Sequence, residues 1–529
     1  MFKNALLNGV FGAISVLVLP FVSSNHITLG AAAPHEQVGQ LSDLPPGIDA
    51  ALGASIQVSG ESGDLSSMVD GDASTTWFPN RPGSYVVQVK LQRPVTITGV
   101  CISWPEAYDS AMVQVQVSVN DNTWFGIGGR ETAVPISSSI QVLEPLRPIK
   151  DIQFVKIIVR SPDNQKVGIS EIRVFSPESY LTRRMMLGDD ISTMLQEESI
   201  GNHYYLGTQA MPLPEILRLG GANYIRMRLW VNPPKGYNNL KYDLTLAQIA
   251  KVYGLRIFLD IHYSDFWADP SKQYIPKAWA NESFSQLETT VENYTKEVLS
   301  SFAKQGTPVD MVSIGNEITD GFLWPYGQIY LSNGTQNWTG FTDLLKAAIK
   351  GAEQGNPSGH KLLIMLHTDR GGDNAGEEYF LDHVLQYGVR FDVIGLSYYP
   401  WFHGPLSGLI NNVDSLAEKY NKPIVIAETQ YPWTLEHPSG DPTPNQVTST
   451  TPLPPGYPPT PLGQELYVRD LVSILAHVPK NLGLGVFYWE PGWLPGVGWE
   501  PGAGTSAANL TEFNWQGEAL PSIYAYDVG

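Results

Sequence analysis

A chain of 529 residues has room for two to four ordinary domains, or for one large barrel with an attachment. Its 33 Lys and Arg against 52 Asp and Glu give a formal charge of −19, so the basic surface that nucleic acid or an anionic membrane requires is missing. Only 16% of residues are charged while 11% are aromatic, the reverse of a disordered chain, so the protein folds.

Residues 2–22 carry one Lys and then an apolar stretch broken by Gly and Pro, followed by small residues including Ser23, Ser24 and Ala31 to Ala33. That order predicts a secretory signal peptide and lead-in over residues 1–33, hence an extracellular protein with no membrane attachment after its removal. An uncleaved anchor is the alternative, because the stretch approaches spanning length. Sequons at Asn281, Asn293, Asn333, Asn337 and Asn509 fit a glycosylated secreted surface.

From about 51 to 176, short runs alternate apolar and polar residues between turn signals such as RPGS and NDN. YVVQVKL, ITGVCISW, VQVQVSV, FVKIIV and EIRVF read as strands with no helix between them, which predicts an all-β sandwich. Cys101, the single cysteine, lies in one of these runs and reads as a buried small hydrophobe. MVDGDASTTWF, then VSVNDNTW, then GISEIRVF give this region a resemblance to the discoidin or coagulation-factor type C domain, which is similar to carbohydrate-binding module family 32. The resemblance implies a jelly-roll sandwich with a carbohydrate-binding role. It also implies a structural Ca²⁺ held by Asp70, Asp72 and Glu171, although an ordinary Asp-Gly turn explains the two aspartates as well.

After the bridge PESYLTRR the period changes. Apolar runs RMMLGDD, YIRMRLWV, LRIFLDIH, DMVSIGNE, KLLIMLHT, FDVIGLSYY, PIVIAET and LGVFYWE alternate with helical intervals, which predicts a TIM (β/α)₈ barrel over 177–529. One helix is expected from Asp243 as N-cap to a stop at Gly254, and another over SQLETTVENYTKEVLSSFAKQG. The Pro-, Thr- and Gly-rich segment from about Thr434 to Gly463 reads as a long functional loop.

Polar residues gather at the C-terminal ends of these runs: Asp189 and Asp190, Arg228, Asp260 and His262, Asn316 and Glu317, His367, Tyr398, Glu428, Trp489 and Glu490. In a TIM barrel that is the face that builds active sites. Arg226 and Arg228 share one strand face, which aims Arg228 into the barrel, where it could hold a carboxylate ionised. Glu317 and Glu428 each end an apolar strand. Two carboxylates without a metal-ligand cluster or a nucleophilic triad are the minimum equipment for glycoside hydrolysis, and a separation of about 5 Å makes one a nucleophile and the other an acid/base.

GDDISTML, RMRLWVNP, LDIHYSDFWADP, IGNEITDGFLWP, IGLSYYPWFHG and IAETQYPW together resemble glycoside hydrolase family 53, the arabinogalactan endo-β-1,4-galactanases, from about Met186 to the C-terminus. The resemblance implies a retaining mechanism with Glu317 as acid/base, Glu428 as nucleophile, Asn316 on the sugar 2-OH and Arg228 beside the nucleophile. Asp189, Asp260, His262, Asp265, His367, Tyr398 and Trp489 would line subsites, and Trp267, Trp401 and Trp493 could offer sugar platforms. Bacterial relatives can hold calcium in a late loop, where this chain offers mainly Glu436 and Asp441, so no catalytic-domain metal and no catalytic cofactor are expected. The expected partner is neutral β-1,4-galactan or arabinogalactan, and the expected state is a monomer. Two alternatives stay open: another retaining glycanase of the same clan, such as a mannanase or β-1,3-galactanase, and an inactive glycan-binding protein.

Overall fold

The structure is a computed structural model and describes residues 44–127, 133–177, 179–498 and 503–528. The expected signal peptide lies outside the described residues, among which no helix is long and apolar enough to cross a membrane.

The N-terminal region is a sandwich of two antiparallel sheets. One sheet runs Ile48–Asp49, Glu171–Ser176, Gly99–Ser103, Ile140–Leu143; the other runs Ser55–Val58, Tyr85–Ile97, Ile149–Arg160, Tyr108–Ser118, with Phe125–Gly126 and Val134–Ile136 both on the last strand. Alternation builds the core: Val87 pairs with Ile157 and that with Val115, while Val89 pairs with Val155 and that with Val117, all buried. These residues pack on Val100, Ile102, Ile172 and Val174 of the smaller sheet. The other face of that sheet is covered too, because Ile48, Cys101, Ile140 and Phe175 belong to the core of the following domain. Burial pushes the Cys101 thiol up to about 12, so it stays an inert thiol.

The second domain is a closed parallel barrel of β1 (Met186–Asp190), β2 (Tyr224–Leu229), β3 (Arg256–Ile261), β4 (Met311–Ile314), β5 (Leu363–Thr368), β6 (Val393–Ser397), β7 (Ile424–Thr429) and β8 (Gly483–Tyr488), with β8 pairing back to β1. Its main helices are α1 (Leu213–Leu219), α2 (Leu240–Val252), α3 (Phe284–Lys304), α4 (Trp338–Gly355), α5 (Asn374–Gln386), α6 (Leu406–Tyr420) and α7 (Pro461–His477). The α2 start differs from expectation: Asn239 is the cap, accepting from Tyr242 N–H at 3.0 Å, while Asp243 sits buried in the first turn. The cap lies four residues earlier because Asn239 supplies the same side-chain acceptor ahead of the apolar run. A capping box of Ser283 and Gln286 starts α3.

Helix α7 is buried on every side from Gly463 to Ala476, although it carries Glu465, Arg469, Asp470 and Ser473. The sandwich covers its outer face. Arg469 donates to the carbonyls of Gly47, Tyr524 and Asp527, and Ser473 Oγ accepts from Asp49 N–H at 3.0 Å. Arg469 and Ser473 thus meet partners from neighbouring segments, as buried polar groups require.

Two sequons are structurally engaged, a correction to their reading as surface sites. Asn509 is fully buried and donates its amide to the carbonyls of Thr434 and Val447, and Asn337 caps α4 while donating to Tyr326. Asn281, Asn293 and Asn333 are exposed.

Candidate active site

The barrel interior rises in layers from a floor of Met186, Tyr224, Phe258, Met311, Met365, Val393, Val425 and Phe487. Stepping by two residues from that floor puts Asp190, Arg226 and Arg228, Asp260 and His262, His367, and Ser397 and Tyr399 on the inner face. Glu428 breaks the rule: with Val425 and Ala427 inward, strict alternation would send it outward. The β7 register slips there, since Leu396 pairs with Ile426 but Ser397 pairs with Glu428, and Thr429 pairs with Tyr488 two positions after Val486. The extra residue is a β-bulge that turns Glu428 into the cleft.

Glu317 stands in the left-handed region at φ 48°, directly after β4 and two residues beyond Gly315 at φ 86°. A Cβ on Gly315 would meet Ile318 Cγ2 at 2.4 Å, so the turn needs glycine there. A non-glycine residue held at such a φ costs about 1–3 kcal/mol, strain of the kind found where a side chain must be aimed. Burial, and then the neighbouring Glu428, push Glu317 well above the usual carboxylate range. Burial also raises Glu428, but Arg226 and the Tyr399 hydroxyl oppose that rise. The first proton the pair takes up therefore belongs on Glu317.

The cation beside Glu428 is Arg226. Its Nη2 lies 2.6 Å from Glu428 Oε1, 2.7 Å from Asp260 Oδ2 and 3.1 Å from Asn316 Oδ1, while Nη1 lies 2.5 Å from Asp190 Oδ2. The expectation for Arg228 is corrected: it pairs with Glu490 at 2.6 Å, one step nearer the strand end, and its guanidinium lies 4.2 Å from the Trp267 ring centroid. Both arginines face inward, but only Arg226 is level with the bulge that turns Glu428 in. Asp260, His367 and Glu428 offer ligand atoms within 4.8 Å of one another, and the positive charge bonded to two of them is this same guanidinium.

Tyr399 donates its hydroxyl to Glu428 Oε2 at 2.8 Å. Asn316 is fixed from both ends, accepting from Arg226 and donating to the Ala268 carbonyl at 2.9 Å. His262 Nδ1 accepts from Trp230 Nε1–H and Ala268 N–H, both at 3.2 Å, which leaves Nε2 to carry the proton toward Asp260 at 3.1 Å. Above these groups opens a cleft of about 880 Å³, with Glu317, Glu428, Asn316, Tyr399 and His262 at its base.

Residues 186–526 match the profile of Glycosyl hydrolase family 53, and residues 52–173 match that of the F5/8 type C domain. The chain belongs to glycosyl hydrolase family 53. An uncharacterized protein in the bgaB 5′ region of Niallia circulans is 42% identical over 351 residues, covering 65% of this chain and 94% of that protein. The arabinogalactan endo-β-1,4-galactanase of Thermothelomyces thermophilus is 34% identical over 346 residues, covering 64% of this chain and 98% of its own length. Among solved structures, the family 53 catalytic domain of Ignisphaera aggregans has a TM-score of 0.61 at 38% identity, covering 65% of this chain and 96% of that one. A fungal β-1,4-galactanase has a TM-score of 0.56 at 33% identity, covering 64% of this chain and 98% of that one.

In this family 53 chain, Trp267, Trp489 and Trp493 wall one part of the cleft, with Trp267 and Trp493 nearly parallel at 6.2 Å between centroids. Gln446 of the long loop after β7 and the exposed Phe402 also line it. Asp260, Arg228 and His367 lie behind the cleft wall. His367 Nε2 is 2.9 Å from Ser397 Oγ, and burial brings its pKa down to about 3, so the ring is neutral.

Four expected residues sit elsewhere. Asp189 points to the outer face of β1 against Glu512, and Asp190 takes the inward position because alternation from Met186 requires it. Tyr398 is likewise one residue off the inward set, and it donates its hydroxyl to the Gly404 carbonyl at 2.7 Å. Asp265 accepts from Asn232 N–H and Lys277 N–H and so shapes a loop. Trp401 packs with Val447, Ala507 and Leu510 beneath the rim. Asp441, in the late loop, accepts backbone N–H groups of Thr443 and Gly496 and so ties two loops together.

In the sandwich, Glu171 is fully buried with neither carboxylate oxygen partnered, next to Asp70. Asp72 Oδ1 accepts from Ser74, and its Oδ2 accepts from Ser407 N–H of α6 at 3.0 Å. With both its oxygens used this way, Asp72 ties the sandwich turn to the barrel.

Proposed function

We propose that this family 53 enzyme is secreted and cleaves internal β-1,4-galactosidic bonds in (arabino)galactan side chains of pectin, with retention of configuration. The observation that carries the reading is the unequal pair at the base of an open cleft, with Arg226 and Tyr399 both bonded to Glu428. The curated galactanases of similar sequence support the choice of polymer.

Glu317, protonated, donates to the glycosidic oxygen while the Glu428 carboxylate attacks the anomeric carbon, so the leaving chain departs with the proton. The ionised Glu317 then takes a proton from water as that water attacks the same carbon and releases Glu428. Two inversions give net retention. Asn316, its amide fixed at both ends, would meet the 2-OH, and the tryptophan wall would receive apolar sugar faces.

Reducing-end release from unbranched β-1,4-galactan, galactomannan and β-1,3-galactan tests the reading. Release from β-1,4-galactan alone is expected. Preference for either other polymer overturns the substrate assignment, and release from none means a glycan-binding protein.

The sandwich is proposed to bind carbohydrate and to hold a structural cation. Carboxylates suit Ca²⁺, and the unpartnered oxygens of Glu171 beside Asp70 fit that chemistry. A lower melting temperature in chelator, restored by calcium, is expected; no change would reject the cation.

A further inference from the structure

The sandwich reaches the strand that carries Glu428 through an unbroken chain of buried contacts. Arg173, on the strand Glu171–Ser176, donates Nε to Asp470 Oδ1 at 2.8 Å and Nη2 to Oδ2 at 2.6 Å, while its Nη1 donates to Ser103 Oγ. Neither residue of this fork is solvated. Asp470 Oδ2 also accepts the Tyr457 hydroxyl at 2.7 Å. Tyr457 belongs to the long loop after β7, and its carbonyl accepts the Tyr431 hydroxyl at 2.5 Å. Tyr431 lies three residues beyond Glu428. Its ring stacks on Tyr467 at 4.5 Å between centroids, and the Tyr467 hydroxyl is 2.9 Å from Thr429 Oγ1.

A second arm runs beside the first. A Cβ on Gly456 would meet the Ala73 carbonyl at 2.4 Å, so the loop backbone lies directly on the sandwich turn. Asp72 of the same turn accepts from Ser407 N–H, at the start of the helix that follows Tyr399 and Phe402. The sandwich therefore touches the loop that follows Glu428 and the helix that follows its hydroxyl partner Tyr399.

We propose that the β-sandwich positions the active site: Arg173, Asp470 and Tyr457 are positioning residues that act on turnover through the end of β7. The sandwich then contributes to hydrolysis of soluble substrate and not only to adsorption on insoluble polymer. The physical basis is register. Glu428 faces the cleft only because of a bulge, and a bulged strand end needs support from outside the ladder. A buried fork shared between one arginine, one aspartate and one tyrosine supplies directional support, since leaving any one of these groups unpaired is costly.

The proposal rests on Glu428 as nucleophile, and the test separates the two. Tyr457→Phe removes a single hydroxyl, and Arg173→Lys keeps the charge while losing the fork. Each is assayed on soluble β-1,4-galactan, beside the parent enzyme, at a temperature 20 °C or more below its own melting point. A fall in kcat of about 5- to 20-fold for Tyr457→Phe is expected, with KM within about twofold and a smaller fall for Arg173→Lys. Unchanged kcat with only a lowered melting temperature would show a purely structural contact and overturn the proposal. Near-normal turnover by Glu428→Ala would instead remove the nucleophile assignment.

Discussion

Arg226 Nη2 and Glu428 Oε1 are 2.6 Å apart, and the same nitrogen also serves Asp260. One guanidinium is shared by three carboxylates, those of Asp190, Asp260 and Glu428, and is itself buried beneath the cleft. Its removal leaves buried negative charge uncompensated, so the loss falls on both folding and turnover. Arg226→Met is expected to lower kcat by about 10²–10³-fold, the scale of losing one preorganised electrostatic partner. Arg228→Met, which disturbs Glu490 and the Trp267 platform, is expected to act mainly through KM. Steady-state kinetics on β-1,4-galactan distinguish the two, and equal effects on kcat would contradict the assignment.

The adjacent tyrosines give a paired control. Tyr399→Phe deletes a hydrogen bond to a carboxylate, worth about 1.5–3 kcal/mol, so kcat/KM should fall by about 10- to 100-fold. The Tyr399 hydroxyl opposes the upward shift of Glu428, so its loss raises that pKa further. The acid limb of the kcat/KM profile should accordingly move to higher pH. Tyr398→Phe removes only the bond to the Gly404 carbonyl and should lower the melting temperature while leaving the profile in place.

Stability should fall as pH rises through neutrality. Burial raises Glu512 to about 8 and Glu490 to about 7, both well above the free value of 4.5. Acids raised in the folded state bind protons more tightly there than in the unfolded chain. Their stabilising contribution is complete below about pH 4.5 and is lost between there and about pH 8, at up to about 1.4 kcal/mol per pH unit for one group. Asp260 works in the opposite direction, because Arg226 and His262 outweigh its burial and hold it low, so its contribution fades only in strong acid. Melting temperatures from pH 4 to 9 should decline toward the alkaline end, and Glu512→Gln should flatten the decline. A melting temperature that climbs from pH 5 to 8 would refute this.

Glycan mapping offers an independent check on packing. Expression in a glycosylating host should modify Asn281, Asn293 and Asn333 and leave Asn337 and Asn509 bare. A glycan on Asn509 would mean that the loop contact with Thr434 and Val447 is absent in solution.

The two-domain order, all eight barrel strands and both glutamates were legible because each rests on a local pattern: alternation in the sandwich, apolar runs before polar ends in the barrel. Three site residues stand one or two positions from the expected ones, and for a common reason. Asp190, Arg226 and Tyr399 follow from counting inward by two from the barrel floor, a step the run ends alone do not supply. Glu428 illustrates the opposite case, since strict counting would have placed it outside, and only the register slip in β7 turns it inward. The contacts of Asp72, Asp189, Arg173 and Asn509 are hidden from the sequence because their partners Ser407, Glu512, Asp470 and Thr434 lie far along the chain. No periodicity connects residues 75 to 335 positions apart.

In the proposed mechanism Glu428 forms a covalent bond with the sugar while Glu317 handles protons. Incubation with a 2-deoxy-2-fluoro galactosyl donor carrying a good leaving group, followed by proteolysis and mass spectrometry, tests it directly. One added fluorogalactosyl group is expected on the peptide containing Glu428. Label on the Glu317 peptide, or turnover to inverted product without any trapped adduct, would contradict it.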